Sequence, residues 1–421
     1  MLNSKNEREL AYVVLIDDVT PIEGYDRVEL AHVGGWTVVV GKGEFKKGDP
    51  AIYFEIDSKL PEVEPFTNME FLKSKHYKIK TQKMCKSISQ GLLMSAENFG
   101  WSKIECINGE LGLGENGYIG IAETNKDETP HFIDDESRFL TAALGVTYAE
   151  AGDNRRKAAP ADKYKLMARR NGKLFSHQPF KFLMKYTWGK KLLFLFFGRK
   201  RDKRSSWPAW VQKTDEERIQ NMPWILDSDE PWIATEKIDG TSTTFTIKRK
   251  KLGKYDFFVC SRNVCFDKPD KKCFYETNVY TEMAIEYFIE PQMAKMLFRD
   301  DRFADCEWIT IQGETYGQGI QNRDYSITGH DFLAFNFITS KDGRYGTPQM
   351  RVILEEDYAI PCVPIVDVLE KLPSTVEEVL DYATGISVLD GKPREGIVFR
   401  TVDGKKSFKA VSNEYLLKYH S

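Results

Sequence analysis

The segment ATEKIDGTS (234–242) sets an amine, a carboxylate and a glycine close together, at Lys237, Asp239 and Gly240. A lysine Nζ is a nucleophile only after losing its proton, and burial or neighbouring cations lower its pKa toward that state. A carboxylate two places on suits a divalent cation, and the glycine allows a sharp turn beside both. Such a set could attack a phosphorus atom while a metal neutralises charge on the phosphate oxygens. Alone, the tetrapeptide means little, because ordinary surface turns produce Lys-x-Asp-Gly by chance.

Further residues follow it in order. CSRN (260–263) offers Arg262 at the end of a strand-like run, and GETYGQGIQ (313–321) places Glu314 after an apolar one. FLAFNF (332–337) carries Phe335, REGIVFR (394–400) carries Glu395 at a strand start, and SFKAVSNEYL (407–416) contains Lys409. Each has an ordinary reading. Glu314 could be a solvated turn acid, Phe335 a core residue, and Glu395 a partner for Arg394. Their order together is what argues for one site.

The set resembles the nucleotidyl motifs of the covalent nucleotidyltransferase superfamily: DNA ligases, RNA ligases and mRNA capping enzymes. Its details resemble the RNA-ligase branch, nearest the family-5 RNA ligases (Deinococcus/Naegleria type) with an N-terminal OB domain. GWTVVVGKGEFKKGDPAIYFEIDSKLP (35–61), YKIKTQKMCKSISQGLLM (77–94) and KTDEERIQN (213–221) are similar to that family's N-terminal domain and the helix before its nucleophile. The resemblance implies an ATP-dependent RNA ligase sealing 3′-OH and 5′-phosphate ends at nicks in duplexes, through lysyl–AMP and an adenylylated 5′-phosphate. Lys237 would be the nucleophile. Glu236 would lie beside the adenine edge, with Ile238 among the nucleotide contacts. Arg262 and Glu314 would hold the ribose, Phe335 would stack on adenine, and Lys409 would meet the α-phosphate. Asp239, Glu314 and Glu395 would hold the hydration shell of Mg²⁺ or Mn²⁺, Glu395 also counting as a nucleotide contact.

Two positions depart from the pattern. RNA ligases commonly show Lys-x-Lys in the last motif, whereas this chain has Ser407-Phe408-Lys409, with Lys406 as a substitute candidate. Ser242 stands where some RNA ligases carry Asn. A DNA ligase or capping guanylyltransferase would share most of these residues but normally carries its OB domain after the last motif. Here 12 residues follow Lys409 and the OB-like strands come first, which favours the RNA-ligase branch. A non-catalytic nucleic-acid-binding module is the other alternative. It would be expected to lose Lys237 or a metal carboxylate, and the chain keeps them all.

The fold must gather side chains spread over some 170 positions. From Tyr12 to about Ile121, AYVVLIDDV, WTVVVG, AIYFEI, YKIKT and GLLMS read as short strands between turn residues, as in an OB-like β-barrel. Residues 122–208 read as a connecting region with a helix near FLTAALGV. From 209 to 421, strands and helices alternate, with helical patterns near 277–298 and 374–384 and a polar helix start at KTDEERIQN. The expected class is α+β: an N-terminal OB-like domain (1–121), the connecting region (122–208), and a C-terminal mixed α/β nucleotidyltransferase domain (209–421).

Net charge is −3, yet Arg155–Arg204 holds 17 Lys and Arg against two acids. That run is +15, so the rest of the chain carries −18. An acidic body with one basic segment suits contact with a polyanion in one place. Aromatics among the lysines of 180–204 add stacking capacity, and RNA or an RNA-containing nicked duplex is the expected partner. The seven cysteines form no CxxC pair, which excludes an obvious zinc site and points to reduced thiols. The most apolar run, Leu192 to Phe197, is too short to span a bilayer. A soluble, intracellular monomer, cytoplasmic or nuclear and free of membrane, is expected.

Overall fold

The computed structural model describes residues 1–99, 138–149, 177–197, 207–213, 215–266 and 278–419. Two β-rich units result, with short helices Phe180–Leu183 (α2) and Thr187–Phe197 (α3) between them.

The N-terminal unit contains β1 (Ala11–Leu15), β2 (Asp18–Ile22), β3 (Tyr25–Val33), β4 (Trp36–Gly41), β5 (Pro50–Phe54) and β6 (Ser58–Lys59). After α1 (Glu70–Ser74) come β7 (Gln82–Met84), β8 (Ser87–Ser89), β9 (Leu92–Met94) and β10 (Thr147–Tyr148). β1, β5 and β9 form one antiparallel sheet, and β2, β3 and β4 form a meander. Strand alternation buries both faces of β1 and β5. Val13, Ile52 and Phe54 enter one core with Leu60 and Phe66, while Tyr12, Ala51 and Tyr53 enter another with Trp36 and Val38.

Three sequence expectations differ here. YKIKT forms no strand, because Tyr77 takes a positive φ of 56° and only Lys78 bridges back, to Lys59. FLTAALGV is a turn, not a helix. Leu140 and Val146 are drawn into the core beside β1, and Thr141 Oγ1 accepts from the N–H groups of Leu10 and Ala11 at 2.8 and 3.1 Å. Tertiary packing overrides helix propensity there. The third is KTDEERIQN, which is non-helical at 215–218 and continues as a 3-10 turn, Ile219–Asn221.

The C-terminal unit holds two antiparallel sheets. Its elements are β11 (Trp232–Lys237), β12 (Thr241–Arg249), β13 (Tyr255–Ser261), β14 (Cys265–Phe266), α4 (Val279–Glu286) and α5 (Ile289–Arg299). Then come β15 (Trp308–Gly317), β16 (His330–Thr339), β17 (Gly343–Arg344), α6 (Thr347–Arg351), β18 (Ile365–Leu369) and α7 (Val376–Ala383). β19 (Gly396–Thr401), β20 (Ser407–Val411) and α8 (Asn413–Tyr419) end the order. One sheet runs β14-β13-β12-β15-β16-β17 and the other β18-β11-β19-β20. α4 and α5 cover the first sheet through Phe245, Ile311, Met293 and Leu297, and α7 covers the second through Val379, Trp232 and Phe399. Each such buried side chain contributes roughly 1.5–3 kcal/mol. The other face of the six-stranded sheet is buried yet polar, with Thr246 hydrogen-bonded to Thr310 at 2.8 Å and Asn336 to Gln312 at 3.1 Å. Such a face suits a crevice for a polar ligand better than a sealed core.

The units meet directly. Leu2 N–H donates to Asn221 O at 2.9 Å, Arg218 lies over the Trp36 ring at 5.6 Å, and Ile88 packs on Val411 and Leu416. Among the described residues, no helix is long and apolar enough to cross a membrane.

Candidate active site

β11 delivers Lys237 at its last position, opposite Gly396 of β19. That pairing puts Lys237 Nζ 2.7 Å from Glu395 Oε1. Both glycines are required by close approach. A Cβ on Gly240 would lie 2.3 Å from Thr315 O, and one on Gly396 would lie 2.1 Å from Ala410 O. The Gly240 contact seats the Lys237–Asp239 turn against Glu314, which pairs across the sheet with Ser242.

Asp239 is buried and held by two tyrosines. Its N–H donates to Tyr325 Oη at 2.7 Å, and its carboxylate accepts from Tyr415 Oη at 2.7 Å. Arg323, paired with Asp390, stacks over the Tyr325 ring at 4.0 Å. The Ile238 side chain lies in a small apolar cluster with Tyr316, Tyr325 and Leu333.

The electrostatics follow from this crowding. Burial alone would lower the Lys237 pKa, but Glu395, Glu314 and Asp239 outweigh it and hold the ammonium above its ordinary value. Glu314 is pushed up to about 8, by burial first and then by Glu395 and Asp239, against the pull of Lys237. Glu395 Oε2 is buried without a hydrogen-bond partner. Three carboxyl groups facing one ammonium leave room for further positive charge, so the donor set fits a divalent cation. Among the described residues, no group of three His, Cys, Asp or Glu is disposed to ligate a metal directly.

Of the remaining candidates, Phe335 packs against the apolar cluster of Ile238, Glu236 is buried, and Lys409 and Arg262 line a cleft. Phe335 is partly buried on β16 at a register shift, where Gln312 faces Asn336 but Gly313 faces Ala334. The bulge leaves Phe335 as the extra residue, a device that re-aims a side chain near a site. The Arg400 guanidinium lies 5.9 Å from its ring. Glu236 is buried, accepting from Ser387 Oγ and from Val388 N–H at 2.8 Å. Burial outweighs those bonds and raises its pKa. Lys409 projects from β20, and its Nζ donates to Asp215 at 2.8 Å. Burial, with help from Arg218 and Lys237, lowers the Lys409 pKa. Arg262 also pairs with Asp215.

A cleft of about 730 Å³ opens where the units meet. Lys237, Glu395, Lys409 and Arg262 line it from one side, and Arg8, Lys78 and Lys80 from the other. A larger groove of about 1010 Å³, bordered by Trp210, Trp308 and Arg344, touches none of the candidate residues.

Ser407 and Lys409 share a face of β20, while Lys406 pairs with Glu230 at the surface. Lys406 therefore does not enter the crevice in place of the missing lysine. The cations nearest Ser407 are Arg344, 3.3 Å from its Oγ, and Arg400, which joins it through Glu216. Sequence reasoning missed Asp215, Glu216, Arg218, Tyr325 and Tyr415. Only the unusual density of charge in KTDEER could have flagged the first three.

Residues 230–419 match the RNA ligase family model, and residues 10–96 match an OB-fold domain model. No curated protein matches the chain significantly. Among solved structures, a lysine-to-alanine mutant of Naegleria gruberi RNA ligase with ATP and Mn is 25% identical, with a TM-score of 0.61. That match covers 98% of this chain and 99% of the other. The Naegleria gruberi RNA ligase with PPi is 26% identical over 98% and 99% of the two chains, with a TM-score of 0.59. The site geometry and these likenesses together support an ATP-dependent RNA ligase with an N-terminal OB-fold domain.

Proposed function

We propose that the chain joins RNA 3′-OH and 5′-phosphate ends at nicks, taking AMP from ATP on Lys237. The observation that carries this reading is the Lys237–Glu395 contact in a cleft that Arg262 and Lys409 also line, with Glu314 and Asp239 near enough for their charges to act on Lys237. The relatives bound to ATP and Mn, AMP and Mn, and PPi support the choice of nucleotide.

In the first step deprotonated Lys237 Nζ attacks the α-phosphorus. An N–P bond forms, the bond to the β-phosphate oxygen breaks, and its electron pair leaves with pyrophosphate. Next a 5′-phosphate oxygen of the RNA displaces the lysine, which regains its proton, and AMP now caps the RNA end. Finally the 3′-OH attacks the RNA phosphorus and AMP departs. Phe335 offers a face for adenine opposite β19, Glu236 borders the base, and Ile238 contributes backbone. Arg262 and Glu314 serve the ribose, and Lys409 serves the α-phosphate. Asp239, Glu314 and Glu395 would hold a hydrated Mg²⁺ or Mn²⁺, which when bound neutralises charge on the phosphate oxygens.

In this reading the expected boundary at about 121 moves past 138–149, whose Leu140 and Val146 enter the N-terminal core, and the second division stays at about 208. The N-terminal unit and the basic run 155–204 grip the RNA backbone, which requires cations but no base reading. The test is sealing of nicked duplexes with RNA or DNA at the 3′-OH side, in ATP or GTP. Sealing with ATP at RNA ends supports the reading. Sealing of DNA ends alone, or with GTP alone, contradicts it.

A further inference from the structure

Asp215 lies in KTDEERIQN, outside the segments that carry the nucleotide-binding candidates, yet it joins two of those segments. Its Oδ1 accepts from Lys409 Nζ at 2.8 Å, and its Oδ2 accepts from Arg262. The two cations come from different sheets: Arg262 follows β13, and Lys409 lies on β20. One carboxylate thus spans the mouth of the crevice. Lys237 is close enough for its charge to act on that carboxylate.

On the proposed reading, Lys409 and Arg262 are the cations that a nucleotide's α-phosphate and ribose need. A phosphate that reaches them meets an anion already bound to both. Two cations held close together without an anion would repel each other, so their placement beforehand also depends on that carboxylate.

We propose that Asp215 is a positioning residue that acts as a stand-in anion, holding Lys409 and Arg262 across the cleft until a nucleotide phosphate displaces it. The backbone permits this exchange. Lys409 N–H donates to Glu217 O at 2.7 Å, which anchors the strand beside Asp215 whatever the side chain does. The Asp215 side chain is 56% exposed and that of Arg262 61%, so the carboxylate has a path into solvent. Burial raises its pKa, but Lys409 and Arg262 outweigh burial and keep it below the ordinary value. It therefore stays charged at neutral pH, and the competition persists across that range.

The test is Asp215→Asn in the full chain, which keeps the shape and removes the charge. Labelling by ATP carrying radioactive α-phosphate is followed across ATP concentrations with Mg²⁺. The half-saturating ATP should fall about threefold or more, because no carboxylate competes. The maximal labelling rate should also fall, because the cations lose alignment. Asp215→Glu should restore the wild-type pattern. Damage to the fold would raise the half-saturating ATP, so a decrease separates this role from a merely structural one. Pyrophosphate binding by calorimetry gives an independent reading without chemistry, and Asp215→Asn should bind it more tightly. If Asn does not fold, Asp215→Ser removes the same charge and is judged by the same criteria. Unchanged or weaker affinity for both ATP and pyrophosphate overturns the proposal. A wild-type chain that takes no label from ATP would sink the ligase reading instead, while the pyrophosphate comparison would still judge Asp215.

Discussion

Lys237 Nζ stands 2.7 Å from Glu395 Oε1, although 158 positions separate the two residues. β11 and β19 are neighbours, and Lys237 faces Gly396, so register alone brings the amine to the carboxylate. The pair has opposite consequences for chemistry. Glu395 fixes where the nitrogen points, yet it also favours the protonated form that cannot attack.

The first prediction concerns the three carboxylates. Replacing Asp239, Glu314 or Glu395 by Ala should slow AMP transfer by about 10- to 100-fold, as expected for groups that orient a metal's surroundings. The half-saturating Mg²⁺ concentration should rise with each change. A metal titration of labelling checks this, and an unchanged Mg²⁺ dependence in all three variants would remove them from the metal's surroundings.

Glu314 ties activity to stability. Its carboxyl is raised to about 8, so folding favours its protonated form. That contribution is complete at acid pH below the unfolded value and is lost as pH rises through about 8. Glu314→Gln should therefore be more stable than wild type at pH values well above 8, with little difference at acid pH. It should also label far more slowly. Thermal unfolding across pH measures the first claim, and equal Tm differences at both ends of the range would refute it.

The pH profile of AMP transfer follows with the same sign. Lys237 must lose a proton that its neighbours hold, and Glu314 must lose one to act as a carboxylate. The rate should rise with pH through the neutral range. More divalent cation should shift the rise to lower pH, because positive charge favours both losses. A rate that falls between neutrality and pH 8 would contradict this.

The tyrosine supports of Asp239 were invisible in the sequence. Tyr415 lies in SFKAVSNEYL after Lys409 and Tyr325 in an irregular loop, and neither residue type signals a carboxylate. Tyr415→Phe should weaken AMP transfer by about tenfold or more while leaving the fold intact, since a buried charge-assisted hydrogen bond contributes roughly 1.5–3 kcal/mol. Labelling kinetics together with an unfolding curve decide it.

What was legible depended on locality. The strands of the C-terminal unit and helices α4, α5 and α7 have local patterns of their own, so the apolar run before Glu314 and the strand start beside Glu395 read correctly. KTDEERIQN did not. Its acids serve distant cations: Asp215 pairs with Arg262 and Lys409, and Glu216 pairs with Arg344 and Arg400. Those partners hold 215–218 in a non-helical conformation that no local pattern encodes. FLTAALGV failed for a related reason, since Leu140 and Val146 belong to a core built by β1 and β5. Motif order grouped Lys237, Asp239, Glu314 and Glu395, and the pairing of β11 with β19 and of β12 with β15 brings their charges within reach of one another. The basic run could be read only as charge, and most of 155–204 lies outside the described residues.

Salt separates substrate grip from chemistry. RNA held through phosphate contacts releases counterions, so sealing at low RNA should fall steeply with added salt. AMP transfer to the enzyme involves far fewer charges and should fall less. Parallel salt titrations of sealing and labelling check this, and equal slopes would place RNA binding elsewhere than in a cationic surface.

The most direct test of the central claim is to map the AMP. The full chain, incubated with ATP and Mg²⁺ and digested, should yield one AMP-bearing peptide, modified at Lys237 through an acid-labile N–P bond. Lys237→Ala should take no label at any ATP concentration. AMP found on another residue, or undiminished labelling of Lys237→Ala, would contradict the account.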